Sequence, residues 1–482
     1  MPQPHARTIP DGFFLGAATA SYQIEGAAFE DGRTASIWDA FARVPGAVVG
    51  GDHGDVACDH YHRMPADVAL MRELGLERYR FSTSWSRIRP DGGPVNPRGI
   101  DFYSRLVDEL LEAGIAPWLT LYHWELPQVL EDRGGWTNRD TAYRFRDFAL
   151  DMHAALGDRV RQWTTLNEPW CASYLSYTAG AHAPGRTSPR DGVRAAHHLL
   201  LAHGLSAAAL READPSIDLG ISLNLTVARP ANPSRPGDVD AARRIDGQFN
   251  RTFLDPIFRG SYPNDFRADL AAVGLGEALD ECVAEGDLET ISTPIDTLGV
   301  NYYHGELVSD QPLAGSRGDD APTIRPTRSP FPAADDVYWH PQKLPVTAMG
   351  WDVQPEALTE LLLRVHQEYT GERGIQLAVT ENGAAYTDTV TSDGAVRDAE
   401  RSEFIEAHIA AVLDAVDGGA NVKGYFVWSL LDNFEWAWGY DKRFGIVHVD
   451  YGTLERTVKL SGQRYAEMIA QRALLAVPPT KI

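Results

Sequence analysis

Short apolar runs alternate with longer amphipathic stretches along most of this chain of 482 residues. Eight runs rich in β-branched and aromatic residues predict buried strands. These runs lie at 13–19, 78–84, 116–122, 161–166, 218–224, 296–302, 376–380 and 422–429. Stretches with helical spacing lie between them, at 65–75, 100–114, 138–156, 192–213, 240–259, 355–370 and 400–417. Alternating strands and helices predict a parallel sheet, and eight strands favour closure into a (β/α)8 TIM barrel of the α/β class.

Three further segments are long and rich in turn-forming residues, at 226–238, 308–347 and 384–399. Each follows a predicted strand, so we expect all three to be loops over the C-terminal face of the barrel. No low-complexity linker divides the chain. We therefore predict a single barrel domain over residues 1–482, with a core from about residue 10 to residue 472.

The charge and the cysteine content narrow the class of protein. The formal net charge is −23, from 44 basic and 67 acidic residues, which disfavours nucleic acid or an anionic membrane as a partner. The three cysteines, Cys58, Cys171 and Cys282, are too few and too scattered for a disulfide framework. No signal segment and no long apolar run is visible, so we predict a cytoplasmic protein without a membrane span.

Two glutamates come directly after short β-branched runs: Glu168 in Thr-Leu-Asn-Glu-Pro and Glu381 in Val-Thr-Glu-Asn-Gly. An unpaired carboxylate is costly to bury, so neither is expected to be an ordinary core residue. Barrel enzymes place their catalytic groups at the carboxyl ends of the strands. A pair of carboxyl groups in such a cleft is what hydrolysis of a glycosidic bond requires.

The other predicted strand ends carry side chains that suit a sugar. In chain order these candidates are Gln23, Arg80, His123, Trp124, Asn167, Asn224, Asn301, Tyr303, Trp428, Asn433, Glu435 and Trp436. Amide, imidazole and carboxyl groups match sugar hydroxyls, and indole rings match the C–H faces of a sugar. A Gly-rich phosphate loop is missing from the sequence, so we predict neither a nucleotide cofactor nor any other cofactor.

The two glutamates must differ in protonation state for this chemistry. We expect Arg80 and the hydroxyl of Tyr303 to hold Glu381 ionised, as the nucleophile. Repulsion from Glu381 is expected to raise the pKa of Glu168, which then fits the role of acid and base. The scheme requires that the two carboxyl groups lie roughly 5 Å apart in the folded chain.

Seven motifs, in order along the chain, resemble those of glycoside hydrolase family 1, the β-glucosidase family. They are FLGAATASYQIEGA at 14–27, YRFSTSWSRI at 79–88, YHWELP at 122–127, TLNEPW at 165–170, GVNYY at 299–303, TENG at 380–383 and WSLLDNFEWAWGY at 428–440. The resemblance covers nearly the whole chain, and the motifs are specific in combination. It implies one (β/α)8 barrel and a retaining mechanism that needs no metal.

Roles for individual residues follow from the matching motifs. Glu168 resembles the acid/base of the family, Glu381 its nucleophile, and Arg80 and Tyr303 the groups that hold the nucleophile. The set that resembles the glycone site is Gln23, His123, Asn167, Glu435 and Trp436, with Trp428 as the platform under the sugar. Trp351 resembles an aglycone-site residue, and Phe444 a residue near the glycone pocket. The loops at 308–347 and 384–399 match no pattern, so the aglycone is left open.

These motifs predict a retaining exo-β-glucosidase with side activity on β-galactosides and β-fucosides. The expected partners are small β-glucosides or short β-linked oligosaccharides, and a homo-oligomer is left open. One alternative is a 6-phospho-β-glycosidase of the same family, which Glu435 disfavours because a carboxylate would repel a phosphate. The other is a catalytically silent sugar-binding protein, which retention of both Glu168 and Glu381 disfavours.

Two groups of histidines superficially resemble metal sites. The segment 51–63 contains His53, Asp55, Cys58, Asp59, His60 and His62, but its spacing matches no zinc pattern. A second group, His197, His198 and His203, lies on a long predicted helix. We interpret both groups as structural and predict no metal.

Overall fold

Eight parallel strands close into a barrel, which confirms the predicted fold. The computed structural model describes residues 7–313 and 327–475. The barrel strands are Phe14–Ala18, Arg78–Ser82, Ala116–Tyr122, Gln162–Asn167, Asp218–Asn224, Thr297–Asn301, Gln376–Asn382 and Val422–Trp428. Each strand pairs in parallel with the next, and the first strand pairs with the eighth. All eight predicted strands are therefore present, with bounds that differ by at most two residues.

Helices surround the barrel. The α-helices are Ser21–Ile24, Ile37–Phe41, His60–Glu73, Trp85–Ile88, Pro97–Glu112, Gln128–Glu131, Asp140–Leu156, Pro189–Ala213, Pro236–Asp246, Thr252–Arg259, Asn264–Ala272, Gly276–Asp280, Asp287–Ile291, Pro355–Val365, Ala399–Asp417 and Leu460–Gln471. Wider π-helical turns occur at Cys171–Ala179, Gly247–Arg251 and His366–Thr370. Every predicted helical stretch overlaps one of these helices. Eight of the α-helices fall outside the predicted stretches. Six of them have only four or five residues, and the two longer ones are Asn264–Ala272 and Leu460–Gln471.

The predicted continuous helix at 240–259 is wrong in its middle. A π-helical turn, Gly247–Arg251, separates two α-helices there. The Asn250 side chain accepts a hydrogen bond from the Thr226 amide at 3.0 Å and donates one to the Thr226 carbonyl at 2.8 Å. These bonds tie the widened turn to the segment after the fifth barrel strand, a long-range contact that helical periodicity cannot show.

The predicted loops at 226–238 and 308–347 are wrong in part, because they contribute to a small sheet. Strand Ala228–Pro230 pairs in parallel with Glu306–Ser309, which pairs antiparallel with Tyr338–Trp339. Helix Pro236–Asp246 also begins within the first of these segments. The part of the second segment at 314–326 lies outside the described residues.

The third predicted loop, 384–399, is irregular apart from a bridge between Val390 and Val396. Farther along the chain, a hairpin of Val447–Val449 and Arg456–Val458 was not predicted.

Aromatic side chains fill the N-terminal half of the barrel. The rings of Phe14 and Phe426 lie 5.0 Å apart between centroids, and Trp118 lies 5.3 Å from Phe426. The Arg78 guanidinium stacks over Phe14 at 4.2 Å. A side chain at Gly16 would meet the Phe426 ring at 2.7 Å, so glycine is required there. The barrel interior is thus packed on this side, which leaves the C-terminal half for a site.

In the described ranges, none of the helices combines the length and the apolar character that crossing a membrane requires.

Candidate active site

A cavity of about 590 Å³ opens at the C-terminal face of the barrel. Twelve of the sixteen candidate site residues line it: His123, Trp124, Glu168, Asn224, Asn301, Tyr303, Trp351, Glu381, Trp428, Glu435, Trp436 and Phe444. The other four, Gln23, Arg80, Asn167 and Asn433, are buried behind this wall. Arg80 bonds to Glu381, Asn167 bonds to His123, and Gln23 bonds to Asn433 and interacts with Glu435. The fold therefore brings all of the predicted residues to one place.

Irregular strand ends carry the two glutamates to this cavity. Glu381 is the next-to-last residue of the seventh barrel strand, where its register against the sixth strand shifts. Glu168 directly follows the fourth strand, which has a similar shift against the fifth, and its φ of 47° is left-handed. Such irregularities re-aim side chains and are typical of functional sites.

Glu381 has two strong hydrogen-bond donors. Arg80 donates from Nη1 to Oε1 at 2.6 Å, and the Tyr303 hydroxyl donates to Oε2 at 2.8 Å. Burial raises the pKa of Glu381, while Arg80 and Tyr303 act in the opposite direction. The sequence identified both partners but not the effect of burial, which is the larger cause.

Glu168 also has a donor at each carboxyl oxygen. Asn301 donates from Nδ2 to Oε1 at 2.7 Å, and the Cys171 thiol lies 3.1 Å from Oε2. Burial, followed by repulsion from Glu381, raises the pKa of Glu168 to about 8. The sequence predicted this direction but named only the repulsion. This direction favours the protonated form of Glu168, which an acid catalyst requires.

Asn167 and Asn301 connect the two glutamates. Asn167 Oδ1 accepts hydrogen bonds from Arg80 Nη2 at 2.6 Å and from Asn301 Nδ2 at 3.0 Å. Asn301 interacts with Glu381 as well as with Glu168. One amide therefore contacts both carboxyl groups, and the network fixes them relative to each other.

His123 is held as a neutral donor. Asn167 Nδ2 lies 3.1 Å from His123 Nε2, and because an amide N–H donates, Nε2 accepts and the ring proton resides on Nδ1. Burial, with a contribution from Arg80, holds the pKa of His123 well below its usual range. His123 Nδ1 is buried and has no hydrogen-bond partner in the described ranges, so a donor is available in the cavity wall.

Two acceptors complete this wall. Gln23 donates from Nε2 to the Phe434 carbonyl at 2.8 Å, which leaves Gln23 Oε1 buried and without a partner among the described residues. Glu435 Oε2 is also buried and has no hydrogen-bond partner among the described residues. Burial, followed by the charges of Glu381 and Glu168, raises the pKa of Glu435 to about 8. Unsatisfied buried polar atoms are costly, so these atoms indicate a polar ligand.

Indole rings form the apolar faces of the cavity. The ring of Trp428 stacks on His123 at 5.6 Å between centroids, and Trp436 lies 4.5 Å from Trp124. Trp124 is fixed by a hydrogen bond from Nε1 to the Asn167 carbonyl at 3.0 Å. Flat apolar walls beside hydrogen-bonding groups are the surface that a pyranose needs.

Toward the opening of the cavity, Trp351 lies 5.4 Å from the ring of Tyr303, and both line the cavity with Phe444.

Sequence reasoning missed several residues of the cavity. Cys171 directly follows the recognised TLNEPW motif and could have been identified from that position. An outer aromatic wall of Trp170, Phe249, Phe331 and Trp339 also lines the cavity, with Trp170 stacked on Phe249 at 4.4 Å. These four residues come from distant segments, so no local signal could have grouped them.

The histidine-rich segment 51–63 makes structural contacts. His60 bonds to Asp67, and His62 bonds to Asp59 and Glu30. Cys58 bonds to a backbone carbonyl.

The second histidine group, His197, His198 and His203, is buried in the helix Pro189–Ala213. Among the described residues, the histidine, cysteine and acidic side chains form no cluster that could hold a metal ion.

Comparisons with known proteins agree with this geometry. The model of glycosyl hydrolase family 1 matches residues 5–474. A bifunctional β-D-glucosidase/β-D-fucosidase of Bifidobacterium breve is 47% identical over 96% of this chain and 99% of its own length. A thermostable β-glucosidase B of Thermobispora bispora is 50% identical over 97% of this chain and 92% of its own.

Among solved structures, the psychrophilic β-glucosidase BglU from Micrococcus antarcticus is similar, with a TM-score of 0.93 and 56% identity. The match covers 96% of this chain and 98% of that one. Because the family model and these relatives span almost the whole chain, the protein belongs to glycosyl hydrolase family 1.

Proposed function

We propose that this protein is a retaining exo-β-glucosidase that releases terminal β-D-glucosyl residues from small β-glucosides and short β-linked oligosaccharides. One observation carries the proposal. Two buried glutamates line one cavity, and Asn301 contacts both, yet only Glu381 is bonded to an arginine. This asymmetry supports two different roles for two similar carboxyl groups.

In the proposed scheme, Glu381 is the nucleophile and Glu168 is the acid and base. A carboxylate of Glu381 attacks the anomeric carbon while Glu168 transfers its proton to the glycosidic oxygen, and the bond between that carbon and oxygen breaks. The aglycone leaves as an alcohol. Glu168, now ionised, takes a proton from a water molecule whose oxygen attacks the same carbon and releases Glu381. Two inversions give net retention.

The surrounding residues support glucose as the sugar. We assign glycone binding to Gln23, His123, Asn167, Glu435 and Trp436, with Trp428 under the ring. Their buried unpaired atoms comprise a donor, His123 Nδ1, and two acceptors, Gln23 Oε1 and Glu435 Oε2, which match vicinal hydroxyls. Acceptance of β-galactosides and β-fucosides remains a prediction. The Bifidobacterium breve relative is named as a β-D-fucosidase as well as a β-D-glucosidase.

The 6-phospho-β-glycosidase alternative is not favoured. The raised pKa of Glu435 favours its neutral form, so simple charge repulsion is weaker than the sequence suggested. The stronger objection is that, among the described residues, no lysine or arginine from the segment around Glu435 lines the cavity. Among the described residues that line the cavity, the arginine is Arg328, which belongs to the segment 308–347 and not to the Glu435 wall. A bound phosphate would therefore add charge to three crowded carboxyl groups.

Hydrolysis of a chromogenic aryl β-glucoside tests the proposal. The wild-type protein should release the phenol, and Glu381→Gln should lower kcat/KM by about 10²-fold or more. Glu168→Gln should cause a similar loss when the phenol is a poor leaving group. A wild-type protein that binds glucose but hydrolyses no aryl glucoside, galactoside or fucoside would instead be a silent sugar-binding protein.

Localisation and assembly are separate proposals. We propose a cytoplasmic enzyme, because the three cysteines are unpaired and buried. A homo-oligomer stays open to measurement by light scattering.

A further inference from the structure

The thiol of Cys171 lies against the carboxyl group of Glu168. The distance from Sγ to Oε2 is 3.1 Å. Cys171 begins the π-helical turn Cys171–Ala179, three residues after Glu168, and its side chain forms part of the cavity wall. The other two cysteines, Cys58 and Cys282, bond to backbone carbonyls and do not line the cavity.

The sulfur atom acts as a donor toward Glu168. Burial, followed by the charge of Glu168, raises the pKa of the Cys171 thiol well above its usual range, so the group keeps its proton. Asn224 donates from Nδ2 to the sulfur at 3.7 Å. Since the sulfur accepts from Asn224 and an ionised carboxylate can only accept, the S–H bond points toward Glu168 Oε2.

The two oxygens of Glu168 are not equivalent. The Thr380 hydroxyl donates to Asn301 Oδ1 at 2.6 Å, which fixes the orientation of that amide. Asn301 Nδ2 must then face Glu168 Oε1, at 2.7 Å. Because an amide N–H cannot accept a proton, Oε1 is always an acceptor, and the acid proton must reside on Oε2.

We propose that Cys171 is a positioning residue for Glu168. Its thiol donates to Oε2, the oxygen that carries the acid proton, and so fixes the orientation of that oxygen toward the glycosidic bond. The same hydrogen bond favours the carboxylate, the form of Glu168 that activates water in the second step. This inference rests on the proposed role of Glu168 as acid and base.

Other charged and titratable groups also act on Glu168 and must be separated from the thiol. Glu381 raises the pKa of Glu168 and Arg80 lowers it. Tyr303 and Glu435 also interact electrostatically with it. All four remain in place when Cys171 is replaced, so a change in the titration of Glu168 reports the missing thiol.

The test compares Cys171→Ala, Cys171→Val and Cys171→Ser with the wild type. The readout is the pH profile of kcat/KM on an aryl β-glucoside with a poor leaving group, whose basic limb reports the acid in the free enzyme. Loss of a donor to the carboxylate raises the pKa of Glu168. The basic limb should therefore move up by about 0.5 to 1 pH unit in the Ala and Val variants.

Serine keeps a donor, so the basic limb of Cys171→Ser should return to within about 0.3 pH unit of the wild type. The acidic limb should not move in any variant. Cys282→Ala is the matched control, because Cys282 is a buried cysteine that lies outside the cavity lining and whose thiol bonds to the Leu279 carbonyl. Its profile should match the wild type.

Two results would overturn the inference. One is a basic limb that stays at the wild-type pH in both Cys171→Ala and Cys171→Val. The other is a loss of kcat in Cys171→Ala that is absent in Cys171→Val, with the basic limb at the wild-type pH in both. Because valine fills the space of the thiol, that result would show a packing effect. If Cys171→Ala does not fold, the difference in the basic limb between Cys171→Val and Cys171→Ser tests the same inference. Failure of the proposed function itself is recognised separately, as wild-type protein with no turnover.

Discussion

Arg80 Nη1 lies 2.6 Å from Glu381 Oε1, and the two side chains are 0% and 3% exposed. A cation this deeply buried is stable only with a partner, and so is the carboxylate. The pair therefore links the stability of the barrel to the charge state of the proposed nucleophile.

Replacing Arg80 with lysine should test this link. The planar fork that reaches both Glu381 and Asn167 is lost, so we expect kcat/KM to fall by about 10²-fold. Arg80→Met should cost about 3–5 kcal/mol of unfolding free energy, because it leaves a buried carboxylate unpaired. Without the cation the pKa of Glu381 rises, so the acidic limb of the kcat/KM profile should move to higher pH.

Arg33→Lys is the control for this prediction, since Arg33 forms a buried ion pair with Asp39 at 2.8 Å outside the cavity wall. It should lower stability and leave the acidic limb in place. An acidic limb that is unchanged in both Arg80 variants would contradict the proposed interaction.

Glu381→Ala should abolish nearly all turnover, and azide or formate should restore part of it. A small anion fits the space left by the carboxylate and attacks the anomeric carbon from the same face. With azide, the product should be the α-glucosyl azide, identified by NMR. A β-configured azide from this variant would mean that Glu381 is not the nucleophile.

Glu168→Ala should affect substrates according to their leaving group. A poor leaving group needs its oxygen protonated, so we expect a loss of about 10³-fold on alkyl glucosides. Activated aryl glucosides such as dinitrophenyl glucoside should lose far less in the first step. Values of kcat/KM for the wild type and Glu168→Ala on both kinds of substrate test this prediction. Equal losses on alkyl and activated aryl glucosides would argue against acid catalysis by Glu168.

Glu435→Gln should change the sugar preference. We propose that Glu435, as part of the glycone site, binds the hydroxyls at carbons 4 and 6, so its replacement should raise KM for aryl glucosides by about tenfold. Aryl xylosides lack the carbon-6 hydroxymethyl group and should be affected less. The ratio of kcat/KM for the two substrates measures this effect, and an unchanged ratio would remove the assignment.

The barrel could be predicted because its strands are buried on both faces and read as continuous apolar runs. The π-helical turn Gly247–Arg251 could not, since it depends on the long-range bonds between Asn250 and Thr226. The small sheet that joins Ala228–Pro230 to Glu306–Ser309 was missed for the same reason. Its strands are too short to show a period of their own.

The site could be predicted to the extent that motifs mark strand ends. Glu168 and Glu381 stand directly after apolar runs, and the barrel must bring strand ends together. What the sequence could not supply was the balance of energies. The pKa of Glu168 depends on burial more than on Glu381, and burial is a property of the packed fold.

The central claim is that Glu381 becomes covalently bonded to the sugar during turnover. In an activated 2-deoxy-2-fluoro-β-glucoside, the fluorine slows both formation and hydrolysis of the glycosyl-enzyme, while the good leaving group speeds its formation. The covalent intermediate should therefore accumulate when the enzyme is incubated with this compound. Mass spectrometry of the digested protein should then locate one fluoroglucosyl group on the peptide that carries Glu381. A label on Glu168, or an active enzyme that never carries a label, would contradict the account.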